Sequence, residues 1–116
     1  MAVKKERSNI AQEKLDAYDR LIAPYPAIER KGATVPYTSF NGHMFSNFEK
    51  DGSFSLRLPP DSIGTFLKKY KTSLAVSYGI IRKEYVLVPD KLLLNTKELQ
   101  PYFAQSFQYV KSLKPK

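Results

Sequence analysis

The chain contains no cysteine, no tryptophan and a single histidine. Without cysteine there is no disulfide framework, no thiolate zinc site, no iron–sulfur cluster and no redox pair. With one imidazole, a metal site would have to rest on carboxylates. The 11 Asp and Glu are scattered, with no Asp-x-Asp-x-Asp loop and no His-Glu-x-x-His. Glycine is scarce as well. The five present never fall in Gly-x-Gly-x-x-Gly or Gly-x-x-x-x-Gly-Lys spacing, so the usual phosphate-cradling loops are missing, and no Gly-x-Ser-x-Gly elbow supplies a nucleophile. The longest apolar run, Tyr85-Val86-Leu87-Val88, is four residues, against the roughly 20 of a spanning helix. The first residues carry charge but no apolar h-region, unlike a secretory signal. These absences make a cytoplasmic protein without cofactor or membrane the expectation.

What is present is a core in the making. Of 116 residues 42% are hydrophobic, including eight Tyr and seven Phe, enough apolar material for one domain of ordinary size. The formal charge is +8. Residues 1–58 contribute +2 of it and residues 59–116 contribute +6.

Hydrophobic periodicity divides the chain. Ala11, Leu15, Tyr18 and Ile22 form the stripe of an amphipathic helix over residues 8–22, with Ser8 or Asn9 as cap and Pro24 as stop. Asn41-Gly42 is a type I′ hairpin signal joining strands at 34–40 and 43–49. Asp51-Gly52 then leads into a strand at 53–58, whose Phe54, Leu56 and Leu58 alternate with Ser53, Ser55 and Arg57, one face buried and one wet. Pro36 belongs on an edge or at a bulge. A helix follows over 61–70, with Ile63, Phe66, Leu67 and Tyr70 inward. Residues 71–81 stay open between a short strand at Leu74-Ala75-Val76 and a turn at Gly79. A strand at 84–88 is closed by Pro89. The last helix buries Leu99, Phe103, Phe107 or Ser106, Val110 and Leu113, with Asn95 or Thr96 as cap. Pro101 there either opens the first turn, leaving Leu99 outside, or kinks the helix. The order helix–meander–helix–strand–helix predicts an α+β domain over 8–113. An antiparallel sheet carries a central three-stranded meander, with helices packed on one face. Residues 1–7 form a mobile basic tail and 114–116 a second tail.

Few residues suggest chemistry. His43, beside the hairpin turn, with Tyr37 and Asn47 and with Arg57 on the wet face, forms a candidate surface or ligand site. No nucleophile–base–orienter set accompanies it, so no catalytic residue is assigned. Glu49 and Asp51 flank a turn, where carboxylates ordinarily cap loops. Lys68, Lys69, Lys71, Arg82 and Lys83 form a basic cluster that could contact phosphates, although Lys68, Lys69 and Lys71 also close a helix, where cations complement the dipole.

Asn41-Gly42-His43-Met44-Phe45, Asp51-Gly52 and Leu56-Arg57-Leu58-Pro59, with Tyr85-Val86-Leu87-Val88-Pro89 and the ending Tyr109-Val110-Lys111-Ser112-Leu113, together resemble the N-terminal domain family of TfoX/Sxy competence regulators. The similarity runs from about Ala11 to Leu113. Where that family commonly has a Met-Phe-Gly-Gly-like stretch, this chain has Arg30-Lys31-Gly32-Ala33. YjbR-like small proteins share the helix–sheet order. The resemblance implies a stand-alone, non-catalytic regulatory or interaction module. The charge of +8 makes a protein partner or an acidic ligand the expectation, with the chain a monomer or a homodimer. The alternatives are nucleic-acid binding through residues 68–83 or, third, an enzyme built on His43. Homodimerisation would use the Pro36-bearing strand or the C-terminal helix.

Overall fold

The computed structural model describes residues 10–32 and 34–116. The expected N-terminal tail and the caps Ser8 and Asn9 lie outside these residues. Helix α1 (Gln12–Ile22) begins later than the periodicity suggested and has Ala11 as its N-cap, with no side-chain cap bond. Its buried line is Ala17, Tyr18 and Leu21. Leu15 and Ile22 are only partly covered and Ala11 is exposed, so the true stripe is rotated toward Tyr18.

Strands β1 (Tyr37–Phe40), β2 (His43–Phe48) and β3 (Phe54–Arg57) form the expected meander. Asn41 and Gly42 both have positive φ, 55° and 84°, as a type I′ turn requires. Helix α2 (Pro60–Tyr70) follows, with Pro in its first turn and Lys71 as a left-handed C-cap. The open stretch resolves into β4 (Leu74–Ser77) and β5 (Ile80–Val88), the latter longer at its start than expected. A short helix α3 (Asp90–Leu94), too brief to show a period, precedes α4 (Thr96–Ser112). Asn95 caps α4 by accepting from the Glu98 amide. Pro101 lies inside α4 beyond its first turn, and Leu99 is helical and buried, so the proline does not mark the helix start.

The five strands form one antiparallel sheet in the order β1-β2-β3-β5-β4. Pro36 immediately precedes the edge strand β1, as its missing N–H demands. Thr38 stands opposite Ser46 but Ser39 opposite Met44, so Phe45 is the extra residue of a bulge. A bulge lets two successive residues turn to one side. Phe45 meets Phe103 and Phe107 of α4 while Ser46 meets Tyr18 of α1.

Helices cover this side of the sheet. Phe48 and Phe54, paired across strands, have ring centroids 5.0 Å apart, and the Tyr18 ring stands edge-on to both at 5.3 and 5.1 Å. Beyond them Leu56, Val86, Val88, Leu93, Leu99 and Val110 complete the core. Each fully buried side chain of this size contributes about 1.5–3 kcal/mol. Three hydroxyls enter this core as a closed chain, Tyr18 to Ser46 at 2.6 Å and Ser46 to Thr38, which offsets their desolvation. Burial holds the Tyr18 phenol well above the ordinary tyrosine pKa, more than the Ser46 hydrogen bond lowers it. Both candidates named for one turn of α4, Ser106 and Phe107, are buried.

The last three residues do not trail away as a tail. Lys116 N–H donates to Asn41 O at 2.9 Å, and His43 Nε2 donates to Lys114 O at 2.7 Å. Among the described residues no helix is long and apolar enough to cross a membrane.

Candidate functional site

The second face of β3 is not wet, contrary to the alternation argument. Ser55 is fully buried, and its Oγ has no hydrogen-bond partner among the described residues. Asn47, beside it in the sheet, is buried too. The cause is the β4–β5 hairpin. Val76 faces Ile81 whereas Leu74 faces Val86, so Arg82 to Tyr85 stand opposite Ala75 alone and the hairpin bends there. Its tip folds back toward the β2–β3 turn. Ser77 Oγ donates to Glu49 Oε1 at 3.3 Å, and Arg82 Nη1 donates to Asn47 Oδ1 at 3.2 Å and Glu49 Oε2 at 3.1 Å.

Tyr85 anchors the bend. Its ring lies 3.8 Å from the Arg82 guanidinium and 5.8 Å from that of Arg57, and its hydroxyl donates to Met44 O at 2.6 Å. Arg57 is held in turn by Glu84, at 2.7 Å from Nε and 2.6 Å from Nη2, and lies over Tyr109 of α4 at 5.4 Å. Burial alone would lower the Arg57 pKa. The Glu84 hydrogen bond and the surrounding charges outweigh it, and the guanidinium stays charged. Tyr109 donates to Glu84 Oε2 at 3.0 Å; desolvation and then that bond raise its pKa.

Among the predicted residues, Tyr37 and Asn47 are direct cross-strand partners. His43 lies at the other end of that strand pair. Because Lys114 O can only accept, Nε2 of His43 is the donor in this bond. Arg57 faces Glu84 rather than His43. The four therefore do not form one site; Asn47 and Arg57, joined by Arg82 through Tyr85, hold the hairpin down. Glu49 pairs with Arg82, and Asp51 accepts from the Ser53 hydroxyl at 2.7 Å and amide at 2.9 Å, which lower its pKa. Among the described residues no three His, Asp or Glu side chains come together as a metal-sized group.

The basic candidates separate likewise. Arg82 is spent on Glu49. Lys83 is exposed on β5, and Lys68, Lys69 and Lys71 are exposed at the end of α2. Lys69 and Lys71 line a surface groove of about 340 Å³ together with Lys91, Tyr70, Leu92 and Glu98. Glu98 is occupied there by Tyr70 Oη at 2.7 Å and Asn95 Nδ2 at 3.2 Å.

Comparison with models of known protein families, with curated proteins and with solved structures finds no match.

The hairpin also carries what the sequence reading missed. Exposed large apolar side chains among the described residues are Val76 (55%), Tyr78 (92%), Ile80 (68%), Ile81 (60%) and Leu94 (38%). Four of the five sit on this one hairpin. Tyr78 and Gly79 form its turn with φ of 53° and 76°. Asn, Asp or Gly suits the first of these positions; a left-handed Tyr costs about 1–2 kcal/mol. Backbone preference therefore does not explain an exposed aromatic there. The available signal was Gly79 between Leu74-Ala75-Val76-Ser77 and Ile80-Ile81, and the adjacent isoleucines hid it by breaking the strand alternation.

Proposed function

We propose that this protein is a non-catalytic interaction module, as its resemblance to the TfoX/Sxy N-terminal family implies, and that it docks a protein partner through the β4–β5 hairpin. One observation carries the reading. The exposed apolar side chains concentrate on a hairpin whose underside is clamped by Arg82, Asn47 and Glu49, so the tip is presented on a rigid base. Val76 and Ile81, directly opposed on one face of the hairpin, with Tyr78 at the turn beside them, make exposed apolar surface of the kind that marks protein-binding sites, and a clamped base limits the ordering entropy that docking would otherwise cost.

The test is a photo-crosslinking amino acid at position 78, with a control at the exposed Gln108 of α4, both in the living host cell. A protein adduct at 78 that is absent at 108, and is lost when Val76→Lys is added, is the expected result. Equal labelling at the two positions would refute the reading.

A second reading is favoured by the groove that gathers Lys69, Lys71 and Lys91. Three lysines on phosphates predict nucleic-acid binding whose log K falls by roughly 2–3 per tenfold rise in salt. An anisotropy titration at low salt that shows no binding to single- or double-stranded DNA or RNA removes it.

A further inference from the structure

We infer that the partner docked on this hairpin is a second copy of the same chain, joined by antiparallel pairing of the two β4 edges about a two-fold axis. This inference rests on the docking reading above and specifies its occupant.

The two edges of the sheet are treated differently. The outer side of β1 is already filled: Lys31 forms an antiparallel bridge to Tyr37, with N–H to O bonds of 2.8 and 2.9 Å. Pro36 and the bulge at Thr38/Ser39 guard the remainder. The Pro36-bearing strand is therefore unsuited to pairing with a second copy. The apolar stripe of α4 is likewise consumed in the core. At the other end of the sheet β4 has β5 on one side, and no backbone bond among the described residues reaches its outer side. Leu74–Ser77 and the turn beyond it contain no proline and no charge, two of the devices that ordinarily protect an edge; the one irregularity, at the bend between Leu74 and Val76, leaves the Val76 end of the strand as the part that pairs.

Charge favours self-association here above other surfaces. In a chain of +8, most contacts between two copies would bring lysine against lysine. Residues 72–81 are without charge, so a two-fold through β4 places no like-charge pair between the strands. A two-fold axis also needs one patch complementary to itself, which an antiparallel strand edge satisfies through its own N–H and C=O groups.

The area sets the strength. The exposed parts of Val76, Tyr78 and Ile81, which lie at the turn and on one face of the hairpin, amount to something on the order of 400 Å² per chain. A standard interface uses about 800 Å² per partner. The apolar area falls short of that, and the expected dimer is weak, with a dissociation constant on the order of 10–100 µM.

Sedimentation of the full chain across that range should show a monomer–dimer equilibrium. The dimer should strengthen, not weaken, between about 0.05 and 0.5 M NaCl, because salt screens the mutual repulsion of the rest of the surface. Val76→Lys, at a side chain of β4 itself that is 55% exposed, should keep the wild-type circular dichroism and remain monomeric. Since the chain has no cysteine, a single spin label on Val76→Cys reports the axis directly. Paired strands bring its Cβ within roughly 5–8 Å of the opposing strand, so its spectrum should broaden with concentration, while a label on Gln108→Cys should not. A wild-type chain that stays monomeric at about 1 mM, or a dimer untouched by Val76→Lys, overturns the inference. If the position-78 crosslinker still captures a different protein in the cell, the docking reading survives that failure; if it captures none, both fall.

Discussion

Replacing Arg82 by alanine removes the clasp that bends the β4–β5 hairpin over the sheet. The substitution deletes a 3.1 Å ion pair to Glu49, a 3.2 Å hydrogen bond to Asn47 and a cation stacked 3.8 Å from the Tyr85 ring. A hydrogen bond to a charged group contributes about 1.5–3 kcal/mol and a cation–π contact about 0.5–1. Both partners of the pair are partly exposed, at 16% and 22% of their side chains, so solvent screening reduces the first figure. Glu49 also keeps Asn47 and Ser77 as donors and is not stranded. The expected loss is about 2 kcal/mol, and it falls first on the hairpin. Amide hydrogen exchange at residues 74–82 should accelerate roughly 30-fold, the Boltzmann equivalent of that energy, while β2 and β3 stay protected. If the hairpin opens only together with the whole domain, the loss appears instead as a Tm lower by roughly 8 °C. A double-mutant cycle with Glu49→Gln should return a coupling near 1 kcal/mol. Exchange and urea midpoint both unchanged would mean that the hairpin is held by something other than this clasp.

Tyr78→Asn should stabilise the fold by about 0.5–1 kcal/mol in urea titration, because Asn accepts the left-handed turn position, and should also abolish self-association. Gly42→Ala should destabilise by about 2 kcal/mol: φ is 84° and an added Cβ would stand 2.7 Å from Lys116 Cβ. Phe103→Ala should cost about 3–5 kcal/mol, since its ring is fully buried between Phe45 and Tyr25. The pKa of Tyr18 is raised in the fold by burial, so its contribution is complete below the unfolded tyrosine pKa of about 10 and declines as pH rises beyond it, where the unfolded chain releases a proton that the folded one retains. The urea midpoint should therefore fall between about pH 9 and pH 11, and fall less steeply in Tyr18→Phe.

Much of the fold was legible because its signals are local. Asn41-Gly42 needed no tertiary information, since both residues tolerate positive φ. The α4 stripe Leu99, Phe103, Phe107 and Val110 is regular enough to read directly. The failures share one cause. The alternation Ser53, Ser55, Arg57 was correct as a face but wrong as a wet one, because the cover comes from a hairpin some 20 residues later whose own pattern is broken by Ile80-Ile81 and a bend. Arg57 and Arg82 looked like ligand-binding cations for the same reason. Their partners Glu84 and Glu49 are assigned only by how β5 turns. Tyr78 was invisible as a candidate, since its exposure and its left-handed backbone are properties of the folded turn.

The most direct test is amide hydrogen exchange across Leu74–Ile81 measured at about 1 µM and at about 500 µM protein, concentrations that bracket the expected dissociation constant. Docking of a second copy predicts that the amides on the free side of β4 gain protection as concentration rises, in parallel with the dimer fraction, while those of β1 do not change. Protection of β4 that is the same at both concentrations would contradict the assignment of this hairpin as the surface through which the protein pairs with itself.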